Sequence, residues 1–146
     1  LMVKLTPTVT DITVTARAAI AGGADALSLV NTFTAMVIDI ETRRPVLANR
    51  TGGLSGPAIK PIAVYLVHRV YREVAKPAGI PILGMGGIRN TTDGLEFLLA
   101  GATAVAVGTG SFLRPDCCQR VIDGLRDYCR RHNVAGIHDL IGTLQD

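Results

Sequence analysis

The chain has 146 residues, 48% hydrophobic and 18% charged, with a net charge of +3, which excludes a disordered chain and fits one ordinary domain. Aromatics are only 4% and Trp is absent, so the core must be built from Val, Ile, Leu and Ala, the usual filling of buried parallel strands flanked by helices. The basic residues are scattered with no Lys/Arg run among aromatics, which argues against nucleic acid, and no uninterrupted run of about 18 apolar residues offers a membrane span.

Val3–Leu5 is an apolar strand carrying one lysine, closed by Thr6-Pro7. Asp11 to Ala21 has Ile12, Ala16, Ala19 and Ile20 at helical spacing and stops at Gly22-Gly23. Ala26–Val30 is strand-like and ends on Asn31-Thr32. From Phe33 to Pro57 no helical period is present. Met36–Ile40, a polar turn at 41–44 and Val46–Ala48 predict a hairpin, and so long an insertion in a compact domain marks a functional loop. Pro57 to Val74 predicts a helix with Ile59, Ile62, Ala63, Leu66, Val67 and Val70 on one stripe. A strand at Ile80–Leu83 precedes Gly84-Met85-Gly86-Gly87. Asn90 or Thr91 caps a helix through Leu99, and a strand at Ala104–Val107 precedes Gly108-Thr109-Gly110. The tail from Pro115 reads as two helices broken near Val134–Gly136. It holds the three cysteines (Cys117, Cys118, Cys129), odd in number and without CxxC spacing, so no metal site is indicated and a reduced, cytoplasmic compartment fits.

Four βα units in succession predict a parallel α/β fold. The segment Gly23–Leu29 is echoed by Gly101–Val107, each at a helix-to-strand junction, and repeated units of this kind suit a barrel better than an open sheet. In such folds chemistry sits at the C-terminal strand ends. Glycine-rich ends after the third and fourth strands predict a phosphate site, because glycine lets amides turn toward an anion. No acidic residue ends the following strand, so the dinucleotide-binding fingerprint is not met. Lys4 is either a surface lysine at a frayed terminus or a cation aimed at an electron-rich ring or anion. Asn31 and Thr32 are either a turn or hydrogen-bonding groups for a planar polar ligand. His68 reads as a half-buried helix residue.

Val3-Lys4-Leu5-Thr6-Pro7, Val30-Asn31-Thr32, Thr42-Arg43-Arg44-Pro45, the block Gly52-Gly53-Leu54-Ser55-Gly56-Pro57-Ala58-Ile59-Lys60-Pro61, Gly84-Met85-Gly86-Gly87-Ile88 and Gly101 to Thr109 occur together and in order. This set resembles the class 1B dihydroorotate dehydrogenases, the bacterial NAD-linked branch. The resemblance implies the C-terminal half of a TIM (β/α)8 barrel, about four βα units with an inserted hairpin loop. It implies an enzyme of de novo pyrimidine biosynthesis that oxidises dihydroorotate to orotate with FMN as hydride acceptor. Lys4, Val30, Gly56, Gly86, Gly87, Gly108 and Thr109 would bind FMN, with the last four around its phosphate, and Asn31 and Thr32 would bind substrate. A homodimer is implied, joined to a partner subunit carrying FAD and an iron–sulfur cluster.

Thr8 stands where the family usually has Asn, a small departure at a position before a helix. The family's base, a cysteine or serine, lies on a loop upstream of the lysine strand. The chain opens directly on that strand without a leader, so residues 1–146 read as a single FMN-binding half-barrel segment with the N-terminal half absent, and no catalytic residue is assigned among them. The segment by itself is expected to be inactive, and to be stable only with the other half or by self-association. The other readings are a dihydropyrimidine dehydrogenase-like FMN subunit and a non-catalytic FMN-binding or assembly fragment.

Overall fold

The computed structural model describes residues 1–145. Four strands, β1 (Met2–Leu5), β2 (Ala26–Leu29), β7 (Ile82–Met85) and β8 (Ala104–Ala106), form one sheet in the order β1-β2-β7-β8. All three pairings are parallel. Each strand lies beside the next one in the chain, so the sheet is wound in one direction and its helices cover one face, the arrangement of a partial α/β barrel. The outer edges of β1 and β8 pair with no other strand among the described residues.

The covering layer is α1 (Ile12–Ala21), α2 (Lys60–Val70), α4 (Thr91–Ala100) and α6 (Cys117–Arg131), each packed against the next. Asp11 caps α1 by accepting from the Thr13 amide, and Asn90 caps α4 by accepting from the Asp93 amide. Leu5, Leu29 and Gly84 stand in one register row and meet the helices. Gly84 must lack a side chain there, because a Cβ would lie 2.8 Å from the Phe97 ring and 2.9 Å from Ala102. The next row, Lys4, Ser28, Leu83 and Ala104, faces away from the helices by strand alternation. Phe97, Ile12, Leu27, Leu29 and Ile82 are the bulk of the core between sheet and helices.

The repeat seen in the sequence is a repeat in hydrogen bonding. Gly23 and Ala24 donate to the carbonyls of Ile20 and Ala19, and Gly101 and Ala102 donate to those of Leu98 and Phe97. Both are the helix closure in which a left-handed residue turns the chain out of the last turn. The same closure recurs at Gly79-Ile80, which donate to Lys76 and Ala75, and at Asn133-Val134, which donate to Arg130 and Cys129.

Several boundaries differ from expectation. The third strand is shifted two residues downstream, to Ile82–Met85, because Ile80 is consumed by the helix closure before it. The helix predicted over Pro57–Val74 runs on: a 3-10 turn (Pro57–Ile59) leads into α2, a π turn (Tyr71–Ala75) follows, and α3 (Lys76–Ala78) ends it. Ile62, placed on the apolar stripe by its spacing, is largely exposed. The insertion is a nested arm: β3 (Phe33–Ala35) pairs antiparallel with β6 (Gly52–Leu54), and β4 (Ile38–Asp39) pairs with β5 (Arg44–Pro45) inside them. The second arm of the inner hairpin is therefore Arg44–Pro45 and not Val46–Ala48. A short helix after β8, α5 (Thr109–Leu113), was not legible in the glycine-rich segment. The tail gives α6 and a 3-10 turn (Ile137–Leu140). No helix of the described residues is long and apolar enough to cross a membrane.

Candidate functional site

The C-terminal ends of β1, β2, β7 and β8 surround a cleft of about 210 Å³. Lys4 comes from β1. Val30 and Thr32 come from the extension of β2, whose Val30 amide donates to the Met85 carbonyl at 3.1 Å. Gly86 and Gly87 line the cleft after β7, and Gly108 and Thr109 after β8. Gly56 enters from the end of the inserted arm. Of the residues selected from sequence, only Asn31 does not line the cleft; alternation along the extended chain turns it away from the side taken by Val30 and Thr32. Asn31 is exposed, and its amide donates to the Leu5 carbonyl at 3.0 Å.

Lys4 is exposed and forms no ion pair among the described residues. Its row neighbour on β2 is Ser28, which is buried and donates its hydroxyl to Met85 Sδ at 3.8 Å. Lys4 stands on the cleft wall. His68 is half-buried in α2, as expected, with a buried and unpartnered Nδ1.

The glycine ends have conformations that side chains resist. Gly86 and Gly87 have φ of +135° and +80°, the first and second residues of the turn out of β7. A Cβ on Gly87 would lie 2.7 Å from the Gly56 carbonyl oxygen and 2.9 Å from Lys60 Cβ. The loop after β7 thus rests directly on the Gly56–Lys60 segment. Gly56 (φ +87°) and Gly108 have open space where a Cβ would stand, so the backbone there is bare toward the cleft.

Residues not selected from the sequence complete the wall. Ser55 Oγ and Thr109 Oγ1 are 2.8 Å apart and tie the arm to the start of α5. Arg89 lines the cleft behind Gly86-Gly87-Ile88. Below it lies Asp93, whose side chain is 4% exposed. Asp93 Oδ1 accepts from Lys60 Nζ at 2.7 Å, and Oδ2 accepts from the Arg89 amide at 2.9 Å. Lys60 Nζ also donates to Glu96 at 2.6 Å. Burial pushes the Asp93 carboxyl up, but the hydrogen bonds from Lys60 and the Arg89 amide and the charges of Lys60 and Arg89 outweigh it and hold its pKa below the ordinary 3.8. Burial likewise disfavours the Lys60 charge, and the hydrogen bonds to Asp93 and Glu96 overcome it, raising its pKa above 10.5. Ser55 sits beside the selected Gly56 and Arg89 two places beyond Gly87, so adjacency could have found them. Nothing in the sequence joins Lys60 to Asp93.

A pH dependence follows. A depressed carboxyl pKa stabilises the fold above the unfolded value near 3.8, and that contribution is lost as pH falls through the lowered folded value. The raised Lys60 pKa keeps the partner charged throughout this range. Asp93→Asn is expected to lose about 2 kcal/mol at pH 7, with the gap to the unsubstituted chain closing as pH falls below 3.8. Urea unfolding at pH 7 and pH 3 checks this; a gap equally wide at both would show that the charge is immaterial.

Comparison with known proteins identifies what this geometry is shared with. The family model described as dihydroorotate dehydrogenase matches residues 1–128. The catalytic subunit of dihydroorotate dehydrogenase B (NAD(+)) from Alkaliphilus oremlandii is 54% identical over 144 residues, covering 99% of this chain and 46% of the relative. Its counterpart from Pelobacter propionicus is 53% identical over 145 residues, covering 99% and 46%. The crystal structure of ligand-free dihydroorotate dehydrogenase from Eimeria tenella superposes with a TM-score of 0.78 at 30% identity, covering 98% of this chain and 39% of that one. The chain spans about half the length of the curated relatives it matches.

Proposed function

Since the chain belongs to the dihydroorotate dehydrogenase family, we propose that it is the FMN-binding part of a class 1B enzyme that oxidises dihydroorotate to orotate in the cytoplasm, feeding pyrimidine synthesis. The observation that carries this reading is the convergence on one cleft of an unpaired lysine and two glycine ends, Gly86-Gly87 and Gly108-Thr109. The residues fit the flavin's chemistry. Bare backbone at Gly108, left-handed glycines at 86 and 87, and the Thr109 hydroxyl suit a phosphate. Lys4 suits the ring, where an ammonium stabilises developing negative charge.

FMN, when bound, supplies the hydride acceptor. The chain's own residues bind and orient: Val30 and Gly56 offer backbone groups to the flavin, and Gly86, Gly87, Gly108 and Thr109 hold the phosphate. Thr32 hydrogen-bonds the pyrimidine, with Asn31 beside it; Asn31 must turn from its exposed position to do so. The proton-accepting base is assigned to none of these residues and belongs to the remainder of the barrel, so residues 1–146 form the cofactor half and do not turn over alone. A homodimer and a partner subunit with FAD and an iron–sulfur cluster, passing electrons to NAD, complete the proposal. It draws on the name of the NAD(+)-linked relatives, which are catalytic subunits.

The test is to load the purified chain with FMN, remove free flavin, and record the visible spectrum anaerobically before and after dihydroorotate. Bound flavin that stays oxidised is expected. Bleaching would mean that the base lies within residues 1–146, and absence of bound flavin would remove the cofactor assignment.

A further inference from the structure

We propose that Lys60 and Asp93 are positioning residues for the anion-binding loop, acting as a buried, charge-balanced couple that sets the Gly86–Arg89 backbone for a phosphate. The inference rests on the flavin-phosphate reading above and extends it to residues that do not themselves line the cleft. Three observations converge. First, both polar backbone groups of Arg89 are tethered: its amide donates to Asp93 Oδ2 at 2.9 Å, and its carbonyl accepts from Cys117 Sγ at 3.3 Å. The loop therefore has little freedom at the end nearest α4. Second, Lys60 supports the loop twice, through its ammonium on Asp93 at 2.7 Å and through its stem, which closes the space where Gly87 would carry a Cβ.

The third observation is electrostatic. A carboxylate only 4% exposed, hydrogen-bonded to the loop that is to receive an anion, would repel that anion if it stood uncompensated. Lys60 cancels it. Glu96 takes a further hydrogen from the same ammonium, and the Arg89 guanidinium, whose Nε is 4.0 Å from Asp93, lies on the cleft wall. Two cations thus balance two carboxylates beneath the loop. Removing Lys60 leaves net negative charge under the phosphate and frees the loop at once; a ring without a phosphate feels neither change strongly.

The discriminating experiment titrates FMN and riboflavin, which differ by the phosphate, against the purified chain by flavin fluorescence quenching. Amide hydrogen exchange at Gly87 and Arg89 is measured on the ligand-free protein. Lys60→Met should bind FMN about tenfold more weakly, the weight of one charged hydrogen bond; Asp93→Asn, which frees the loop but removes a carboxylate from beneath the anion, should lose less, with riboflavin affinity unchanged in both. Lys60→Arg should restore FMN affinity, and exchange at Arg89 should quicken in the first two variants only. Equal loss of both flavins marks a general structural role and overturns the inference, as does no loss of either. If the unsubstituted chain shows no preference for FMN over riboflavin, the flavin-phosphate reading fails instead. The exchange at Arg89 then judges the couple by itself, and unchanged protection in Lys60→Met and Asp93→Asn overturns it.

Discussion

Gly87→Ala is expected to lower stability by about 3 kcal/mol and to abolish detectable FMN binding. Two costs add. At φ +80° a side chain enters the left-handed region, at about 1–2 kcal/mol. The new Cβ would also lie 2.7 Å from the Gly56 carbonyl oxygen, 2.9 Å from Lys60 Cβ and 3.1 Å from Pro57 Cα. These atoms belong to the main chain or the root of a side chain, so none can swing aside, and overpacking of this kind costs about 1–3 kcal/mol. The loop has to lift off the 56–60 segment, which moves the amides that the phosphate needs. Gly79→Ala, outside the cleft, is the matched control. Its φ of +67° is likewise left-handed, yet a Cβ there meets nothing within 4 Å, so only the conformational cost of about 1 kcal/mol applies. Urea unfolding and FMN titration of the two variants side by side separate the terms. Equal losses would show that the close approach of loop and α2 does not matter.

Gly101→Ala is expected to cost about 3–5 kcal/mol, a large share of the stability of a domain this size. A Cβ at this position, with φ +116°, would lie 2.1 Å from Tyr71 Cγ and 2.6 Å from Tyr71 Cβ. Tyr71 also meets the tail: a Cβ on Gly142 would lie 2.2 Å from the same ring. The Gly142 and Leu144 amides bond to the Leu98 and Leu99 carbonyls of α4 and hold that tail in place. The ring thus packs on two glycines. The sequence partner of Gly101 in the repeat, Gly23, has φ +92° and open space, so Gly23→Ala should cost only about 1 kcal/mol. Thermal unfolding of both variants decides whether the two copies of this junction differ as the packing requires.

That contrast also shows where sequence reading reached and where it stopped. The βα order was legible because each parallel strand is a short apolar run bounded by glycine, and because Asp11 and Asn90 are cap residues at helix starts. The glycine strand ends and Lys4 were legible because residue type at a strand end already restricts chemistry. The inserted arm was legible only as non-helical. Gly52–Leu54 looks like a turn, and its pairing with Phe33–Ala35 is set by contact across the arm and not by any local period. The spacing predicts the helix from Pro57 only as far as Val74, yet the π turn over Tyr71–Ala75 carries it on and places Pro77 at the start of a new turn, where a missing amide hydrogen costs nothing. Ser55 with Thr109, and Lys60 with Asp93, are partners far apart in the chain. Such pairs exist only once the strands have been ordered, and their cause is the topology.

The sheet order has a kinetic side. Met2 sits opposite Ala26 and Leu83 opposite Ala104, whereas Leu27 sits opposite Ile82, more than twice as far along the chain. The two outer pairings each close over a single helix, but the central one must also span the whole inserted arm. In equilibrium terms the arm is nearly free, since doubling a loop costs only about 0.6 kcal/mol. In rate terms it is dear, because distant pairings form last. Two βαβ halves can assemble early and wait for β2 to meet β7. That meeting brings Val30 against Met85, so the mouth of the cleft closes in the same late step.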